Sequence, residues 1–166
     1  AEAADYQVRQ YAGRIEARVT VQASYGTSVQ TGFRILANYI FGGNQARASI
    51  DMTTPVSAAE SLSIDMTTPV TARGEGTEWV VSFMMPSEWT LASLPVPNDP
   101  RVELVEAPPS LRAVRTFGGR ATTRSTQSQL ATLRTAIEAD GYVVTGPAAI
   151  SQFDPPWVLG PWRRNE

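Results

Sequence analysis

The feature that most constrains this chain is the way two apolar periodicities alternate along it. Over residues 14–21 every second side chain is apolar, which predicts a strand with one face made of Ile15, Ala17, Val19 and Val21. The spacing then changes to intervals of three and four over Val29–Phe41, which predicts a helix. Thr27 and Ser28 are its capping candidates, and Gly42-Gly43 ends it. A strand followed directly by an amphipathic helix requires a layered fold around a shared core.

The same order of elements is predicted twice. The first half has strands at Tyr6–Tyr11, 14–21, Ser61–Ala72 and Trp79–Met85 around the helix Val29–Phe41. A proline-rich connection, Pro86–Pro100, leads to the second half. That half has strands at Val102–Ala107, Leu111–Phe117, Tyr142–Thr145 and Ala148–Phe153, with a helix at Thr122–Asp140 that Gly141 ends. Two pseudo-equivalent ββαββ halves predict an α+β fold in one domain, 1–166, with one curved antiparallel sheet or distorted barrel of about eight strands flanked by two helices.

Missing residue types exclude most enzyme chemistry. The chain has no Cys and no His, and all 14 of its basic residues are Arg. Serine–histidine and cysteine–histidine nucleophile pairs, Cys-containing zinc sites, lysine Schiff bases and imidazole or thiolate haem ligands are therefore excluded. An enzyme would need carboxylates or Tyr as acid and base, and no closely spaced carboxylate pair is evident. We therefore expect a binding protein rather than an enzyme.

Charge and hydropathy limit the partners. The formal net charge is -2, and the 14 basic and 16 acidic residues are scattered, so the sequence predicts neither nucleic-acid nor membrane binding. The chain has no run of 18 apolar residues, and Ala1-Glu2-Ala3-Ala4 is not a signal-peptide core. That beginning is also compatible with cleavage behind small residues. We expect a soluble protein, with the cytoplasm and the periplasm both open.

An ordered set of short motifs carries a family resemblance. It consists of Asn38-Tyr39-Ile40-Phe41-Gly42-Gly43-Asn44, two Ile-Asp-Met-Thr-Thr-Pro-Val segments, Phe83-Met84-Met85-Pro86, Leu94-Pro95-Val96-Pro97-Asn98-Asp99-Pro100-Arg101-Val102, Phe117-Gly118-Gly119, Asp154-Pro155-Pro156-Trp157 and Arg163-Arg164-Asn165-Glu166. In this order, the set resembles the SOUL haem-binding family over nearly the whole chain. The doubled segment is typical of bacterial members.

The resemblance implies a distorted β-barrel with two helices and a shallow apolar cleft that binds haem or free porphyrin. The cleft would lie between the first helix and the loop joining the last two strands. Its candidate lining residues are Gln30, Phe33, Arg34, Ala37, Asn38 and Phe41 on the helix and Trp157, Val158, Leu159 and Trp162 in the loop.

A tetrapyrrole is a flat apolar disc with carboxylate tails, so its site needs aromatic walls and a cation at one edge. Phe33, Ala37 and Phe41 are equally compatible with a core role, whereas two indoles in a loop favour ligand contact. Arg34, or else Arg163 or Arg164, is the candidate partner for a propionate.

Axial ligation is where the chain departs from the family pattern. Some members are thought to use a His on the first helix, and this chain has none. The remaining candidate ligands are a water molecule, the phenol of Tyr39 and the thioethers of Met52, Met66, Met84 and Met85. Methionines equally fill gaps in a core.

The doubled segment is an exact internal repeat. Ser49–Val56 recurs unchanged as Ser63–Val70, fourteen residues later, which is too short a period for a solenoid. Either one copy forms a strand and the other an extended loop after a local duplication, or the extra copy covers a ligand cleft.

Two other functions remain open. A module binding another hydrophobic small molecule, as in regulator effector-binding domains, would place an acidic residue in its cavity, with Asp51, Asp65 and Asp154 as candidates. A protein-interaction module would use the segment Pro86–Pro100 as its contact surface.

Overall fold

The computed structural model describes residues 6–46, 62–64, 70–154 and 163–166. Within them are two helices, α1 at Tyr25–Ile40 and α2 at Thr123–Ala139. The strands are β1 Gln7–Tyr11, β2 Arg14–Gln22, β3 Asn44–Gln45, β4 Val70–Glu75, β5 Glu78–Met84, β6 Val96–Pro97, β7 Glu103–Ala107, β8 Ser110–Val114, β9 Phe117–Gly118, β10 Ala149–Gln152 and β11 Arg164–Asn165. The predicted α+β class with two helices is confirmed.

Seven strands form one antiparallel sheet in the order β7-β2-β5-β4-β10-β11-β9. Two further pairs, β1-β8 and β3-β6, are also antiparallel. Among the described strands the ladder does not close into a continuous barrel. Its edge strands β7 and β9 belong to one stretch of chain, 103–118, and are joined through β8.

The pair β1-β8 continues the pair β2-β7 across a short break. Tyr11 pairs with Ser110 and Arg14 pairs with Ala107, so the same number of residues separates the two pairs on each strand. Pro108-Pro109 lies in that gap, and proline has no N–H to donate to a ladder. Residues 7–22 and 103–114 therefore form two long neighbouring strands, each with a short break in its pairing.

Helix α1 lies on β2 and β5 and builds the main core with them. The predicted alternation of β2 is confirmed, with Ala17 and Val19 buried beneath the helix. On the helix the buried positions follow intervals of three and four: Tyr25, Ser28, Gly32, Leu36, Tyr39 and Ile40. One face of α1 is thus fully used by the sheet, which leaves the opposite face toward solvent.

Helix α1 starts four residues earlier than predicted. Its N-cap is Ser24, and Ser28 is instead a buried residue of the second turn, whose hydroxyl donates to the Ala23 carbonyl at 3.1 Å. The extra turn is stabilised by Tyr25, whose ring packs edge-on against Trp79 with centroids 5.0 Å apart. This contact joins residues distant in sequence, so helical periodicity alone did not reveal it.

Helix α2 matches its predicted bounds closely. Thr122 caps it with a reciprocal pair of hydrogen bonds to Ser125, and Gly141 follows its end at a φ of 82°. The strand predicted at Tyr142–Thr145 is wrong, because these residues make no ladder. Val143 is 84% exposed and has no partner strand to cover it. The two halves therefore differ in their element order.

Part of the predicted strand Ser61–Ala72 and most of the exact repeat lie outside the described residues. What is described shows Ser63 bridging to Phe41 and Ile64 buried in the core, with β4 beginning at Val70. The predicted connection Pro86–Pro100 is confirmed, apart from the two-residue strand β6 within it.

Gly32 sets the distance between α1 and β5. A Cβ placed there would lie 2.6 Å from Val81 Cβ, closer than real side chains approach. We expect Gly32→Ala to lower the free energy of unfolding by about 1–2 kcal/mol, because overpacking exceeds the gain in helix propensity. Urea denaturation measures it. Gly26→Ala is the matched control: that site has no atom within 4 Å, so the free energy should stay the same or rise. Equal behaviour of the two variants would contradict the close packing.

Candidate functional site

The solvent-facing side of α1 carries a stripe of side chains that the sheet does not use. We call it the outer stripe; it consists of Gln30, Arg34, Ala37, Asn38 and Phe41. Their spacing of three to four residues places them along one side of the helix over about 16 Å. Four of the five are exposed and Ala37 is half-buried. The structure thus brings together five of the six helix residues predicted from the sequence.

The sixth residue, Phe33, belongs to the core instead. It is partly buried against the main cluster and packs edge-on against Phe83, with ring centroids 5.5 Å apart. The core reading that the sequence left open for Phe33 is therefore the one that its packing supports.

Phe41 is the aromatic end of the outer stripe. It is 64% exposed, although its backbone is tied down: its N–H donates to the Ala37 carbonyl at 3.0 Å. A fixed backbone holding an exposed ring keeps apolar area in water without a gain inside the molecule. Such a ring is well placed to cover an apolar ligand.

Arg34 lies one helical turn before Asn38 and is exposed. Within the described part of the chain it forms no ion pair, whereas Arg101 is bound to Asp99 and Arg164 to Glu166. Its guanidinium is therefore available to a carboxylate from outside.

A shallow depression adjoins the outer stripe at Asn38. It is open to solvent, has a volume of about 520 Å³, and is lined by Asn38, Asn98, Asp99, Pro100 and Arg101. Arg101 donates to both carboxylate oxygens of Asp99, and this bonding lowers the pKa of Asp99 to about 2. Sequence reasoning did not assign residues 98–101 to the site, although they belong to one of the motifs that carry the resemblance.

The end of α1 is held by a buried amide. Asn44 is 1% exposed; its Nδ2 donates to the carbonyls of Tyr39 at 2.6 Å and Leu62 at 2.8 Å, and its Oδ1 accepts from the Leu62 N–H at 2.8 Å. The Ile64 N–H also donates to the Ile40 carbonyl. Asn44 therefore joins the last turn of α1 to segment 62–64 and fixes the position of Phe41.

Tyr39, a candidate axial ligand, points into the core and away from the outer stripe. It is 1% exposed, and its hydroxyl donates to the Pro95 carbonyl at 3.0 Å. Reaching a ligand on the outer stripe would require unpacking this side chain from the core. We therefore leave Tyr39 out of the proposed site.

The loop between β10 and β11 has its base near the start of α1. Gln152 donates to the Tyr25 hydroxyl at 2.8 Å, and the Arg164 N–H donates to Asp154 at 2.6 Å across the loop's base. Burial raises the pKa of Tyr25, while the nearby charge of Arg163 acts in the opposite direction. The loop predicted as the second wall thus starts and ends beside α1.

The second wall of the predicted cleft, at residues 157–162, lies outside the described part of the chain. Trp157, Val158, Leu159 and Trp162 lie outside the described residues, as do Met52 and Met66 and the acidic candidates Asp51 and Asp65. Within the described ranges no group of three or more acidic side chains is arranged to hold a metal ion. No described helix is long and apolar enough to span a bilayer.

Taken together, an antiparallel sheet with two helices and an exposed stripe of aromatic, amide and arginine side chains on α1 define a small α+β protein. Comparison with known families specifies the class further: residues 1–166 match the family described as "SOUL heme-binding protein". The chain belongs to this family, as the motifs indicated.

Individual relatives are distant. The chain is 28% identical to human "Heme-binding protein 2" over 139 residues, which cover 83% of this chain and 64% of the human protein. Among solved structures it is similar to the C-terminal domain of EcmrR, with 9% identity, a TM-score of 0.68 and coverage of 96% and 92% of the two chains. It is also similar to a hydrolase from Listeria innocua, with 12% identity, a TM-score of 0.59 and coverage of 99% and 90%. These structural likenesses concern the fold alone.

Replacing the buried amide tests how the end of α1 is held. We expect Asn44→Ala to lower the free energy of unfolding by about 2–4 kcal/mol, because two carbonyls and one N–H lose their partner in a buried site. Chemical denaturation measures it. Gln45→Ala is the control, since Gln45 is exposed and should change stability by less than about 0.5 kcal/mol. If both variants were equally stable, Asn44 would not join these segments.

Proposed function

We propose that this protein binds a tetrapyrrole, haem or free porphyrin, non-covalently on the outer stripe of α1. The observation that carries the proposal is the combination of an exposed Phe41 on a fixed backbone with Arg34 on the same side of the helix, which forms no ion pair with any residue that the structure describes. Family membership supports the ligand class. The role would be that of a carrier, buffer or chaperone, and we propose no catalysis.

Each residue of the outer stripe would have its own role in holding such a ligand. The ring of Phe41 and the methyl group of Ala37 would cover the apolar face, and Arg34 would pair with a propionate through parallel N–H donors. The amides of Gln30 and Asn38 would donate hydrogen bonds at the edge. Trp157 and Trp162 would form the opposite wall. The Arg164 N–H, which donates to Asp154, closes the base of the loop that carries them.

This protein offers a haem iron neither an imidazole nor a thiolate as axial ligand. The chain contains no His and no Cys, and Tyr39 is enclosed in the core. Binding would therefore depend mainly on the macrocycle and its carboxylates, without an imidazole, thiolate or phenolate bond to the iron. A bound haem would supply a redox-active iron, and we assign no redox role to the described residues.

A module for another hydrophobic small molecule is the alternative. The observation in its favour is that the outer stripe would accept any flat apolar anion of suitable size, since none of its groups is specific for iron. A cationic ligand is less well matched, because Arg34 is the charged group of the stripe and Asp154 already accepts the Arg164 N–H.

A haemin titration, followed through the Soret band, tests the outer stripe. We expect Phe41→Ala and Arg34→Glu each to weaken binding about tenfold or more. Phe41→Ala removes roughly 1.4 kcal/mol of contact with the ligand, and Arg34→Glu reverses the charge that faces a propionate.

Two substitutions elsewhere serve as matched controls. Tyr142→Ala removes another exposed ring, 52% exposed after α2, and Arg134→Glu makes the same charge change on α2. Both should bind haemin like the parent. Equal weakening by the controls, or parental affinity in both stripe variants, would place the ligand elsewhere.

Comparing haemin with iron-free protoporphyrin IX tests the absence of an axial ligand. We expect the two dissociation constants to agree within about tenfold, since an axial bond from the protein would add well over 1.4 kcal/mol for haemin alone. Ferric protein should show a high-spin, water-bound spectrum. Binding of haemin several hundredfold tighter than the free porphyrin would instead show that a side chain ligates the iron.

A further inference from the structure

The sheet face opposite α1, which we call the inner face, carries charge where the other face is apolar. Along β2, Ala17 and Val19 lie under the helix, so the alternating residues Arg14 and Glu16 are on the inner face. On β4, Ala72 packs with Tyr25, and the next residue, Arg73, is therefore on the inner face as well. Arg14, Glu16 and Arg73 therefore share one face of the sheet.

Glu16 is the only carboxylate at the centre of this group in the described chain, and both of its oxygens are in use. Its side chain is 5% exposed; Oε1 forms an ion pair with Arg14 Nη2 at 2.6 Å, and Oε2 accepts a hydrogen bond from Arg73 Nη2 at 2.5 Å. The bond to Arg73 passes over β5, since Arg73 and Glu16 pair with Val80 and Met84 of that strand. Glu16 thus fixes two guanidinium groups in place.

A third guanidinium, that of Arg112, is near enough for the charges of Arg14, Arg73 and Glu16 to act on its pKa. Arg112, on β8, donates through Nε to the Ser110 hydroxyl at 3.1 Å and lies over the Tyr11 ring at 5.2 Å. Burial lowers the pKa of Arg112, and the positive charges of Arg14 and Arg73 lower it further. No carboxylate lies within ion-pair distance of it among the described residues. Arginine remains protonated despite such shifts.

The group is therefore overcharged and incompletely bonded. Arg14 and Arg73 share the one carboxylate of Glu16, and the charge of Arg112 acts on the same group, so the described residues carry an excess of two positive charges there. Arg14 Nη1 and Arg73 Nε are buried without an acceptor in the described part of the chain. Buried donors normally have partners, and like charges are seldom gathered away from water without an opposing one. The Arg73 side chain remains 28% exposed, so the group is accessible from solvent.

We infer that Arg14, Arg73 and Arg112 form a binding site for a compact oxyanion, the phosphate or carboxylate group of a small ligand, with Glu16 as the positioning residue. Guanidinium forks match both groups through paired N–H donors, and an excess of two positive charges favours the dianion. The site lies on the other face of the sheet from the outer stripe. It does not depend on the proposed tetrapyrrole function.

Thermal unfolding in inorganic phosphate tests the site, with sodium chloride at equal ionic strength as reference and sodium acetate as the carboxylate probe. We expect phosphate to raise Tm saturably, by about 5 °C at a hundredfold excess over its Kd, with acetate giving a smaller rise. Chloride should give none beyond general screening.

Variants at Arg112 show where the anion binds. Arg112→Gln should lose at least half of the phosphate-induced rise, whereas Arg112→Lys, which keeps the charge, should retain more of it than Arg112→Gln. Without ligand, Arg112→Gln should unfold at the parental Tm or above, because it relieves repulsion between cations; a structural role alone would lower Tm. Arg134→Gln, on exposed α2, is the matched control and should behave like the parent.

Three results would overturn the inference. They are equal Tm changes in phosphate and chloride, a full phosphate effect in Arg112→Gln, and loss of the effect in Arg34→Ala rather than at Arg112, which would assign the anion to the outer stripe. A haemin titration of Arg112→Gln separates the two proposals, since tetrapyrrole binding should be unchanged whether or not phosphate binds.

Discussion

The close contact of α1 with β5 is the constraint on which the rest of the structure depends. Gly32 allows the helix to approach until its backbone lies against Val81, and the apolar side chains of β2 and β5 then fill the space around it. A helix held this closely has only one rotational setting. That setting turns the buried positions inward and leaves Arg34 and Phe41 facing outward, so the outer stripe is a direct consequence of the packing.

The two faces of the sheet carry different chemistry because only one is covered by α1. Under the helix the strands bury Ala17, Val19 and Val81, and no charge is needed there. On the inner face β2 places Arg14 and Glu16, and β4 adds Arg73 to the same carboxylate. The fold thus presents two chemically different surfaces, the outer stripe of α1 and the arginine group of the inner face, and each can be changed by substitution without changing the other.

Much of the fold was predictable because local periodicity records burial. The alternation of β2 and β5 and the capped repeat of α2 depend on near neighbours, and they agree with the structure. The prediction of a strand at Tyr142–Thr145 was wrong because strand formation also depends on a distant partner. β-branched residues favour a strand, but no described strand pairs with the exposed Val143. Likewise, α1 begins at Tyr25 because of its contact with Trp79, more than fifty residues away.

By itself, the sequence determined the family, the α+β class, the apolar faces of β2 and β5, and the exclusion of histidine and thiolate chemistry. It also placed Gln30, Arg34, Asn38 and Phe41 on one helix, because helical spacing is a local property. Only the tertiary structure separated Phe33 from that group, buried Tyr39, and brought Arg73 to Glu16. The physical reason is that periodicity shows which side chains share a face, whereas the partners that cover that face come from distant strands whose register and curvature arise only when the whole sheet assembles.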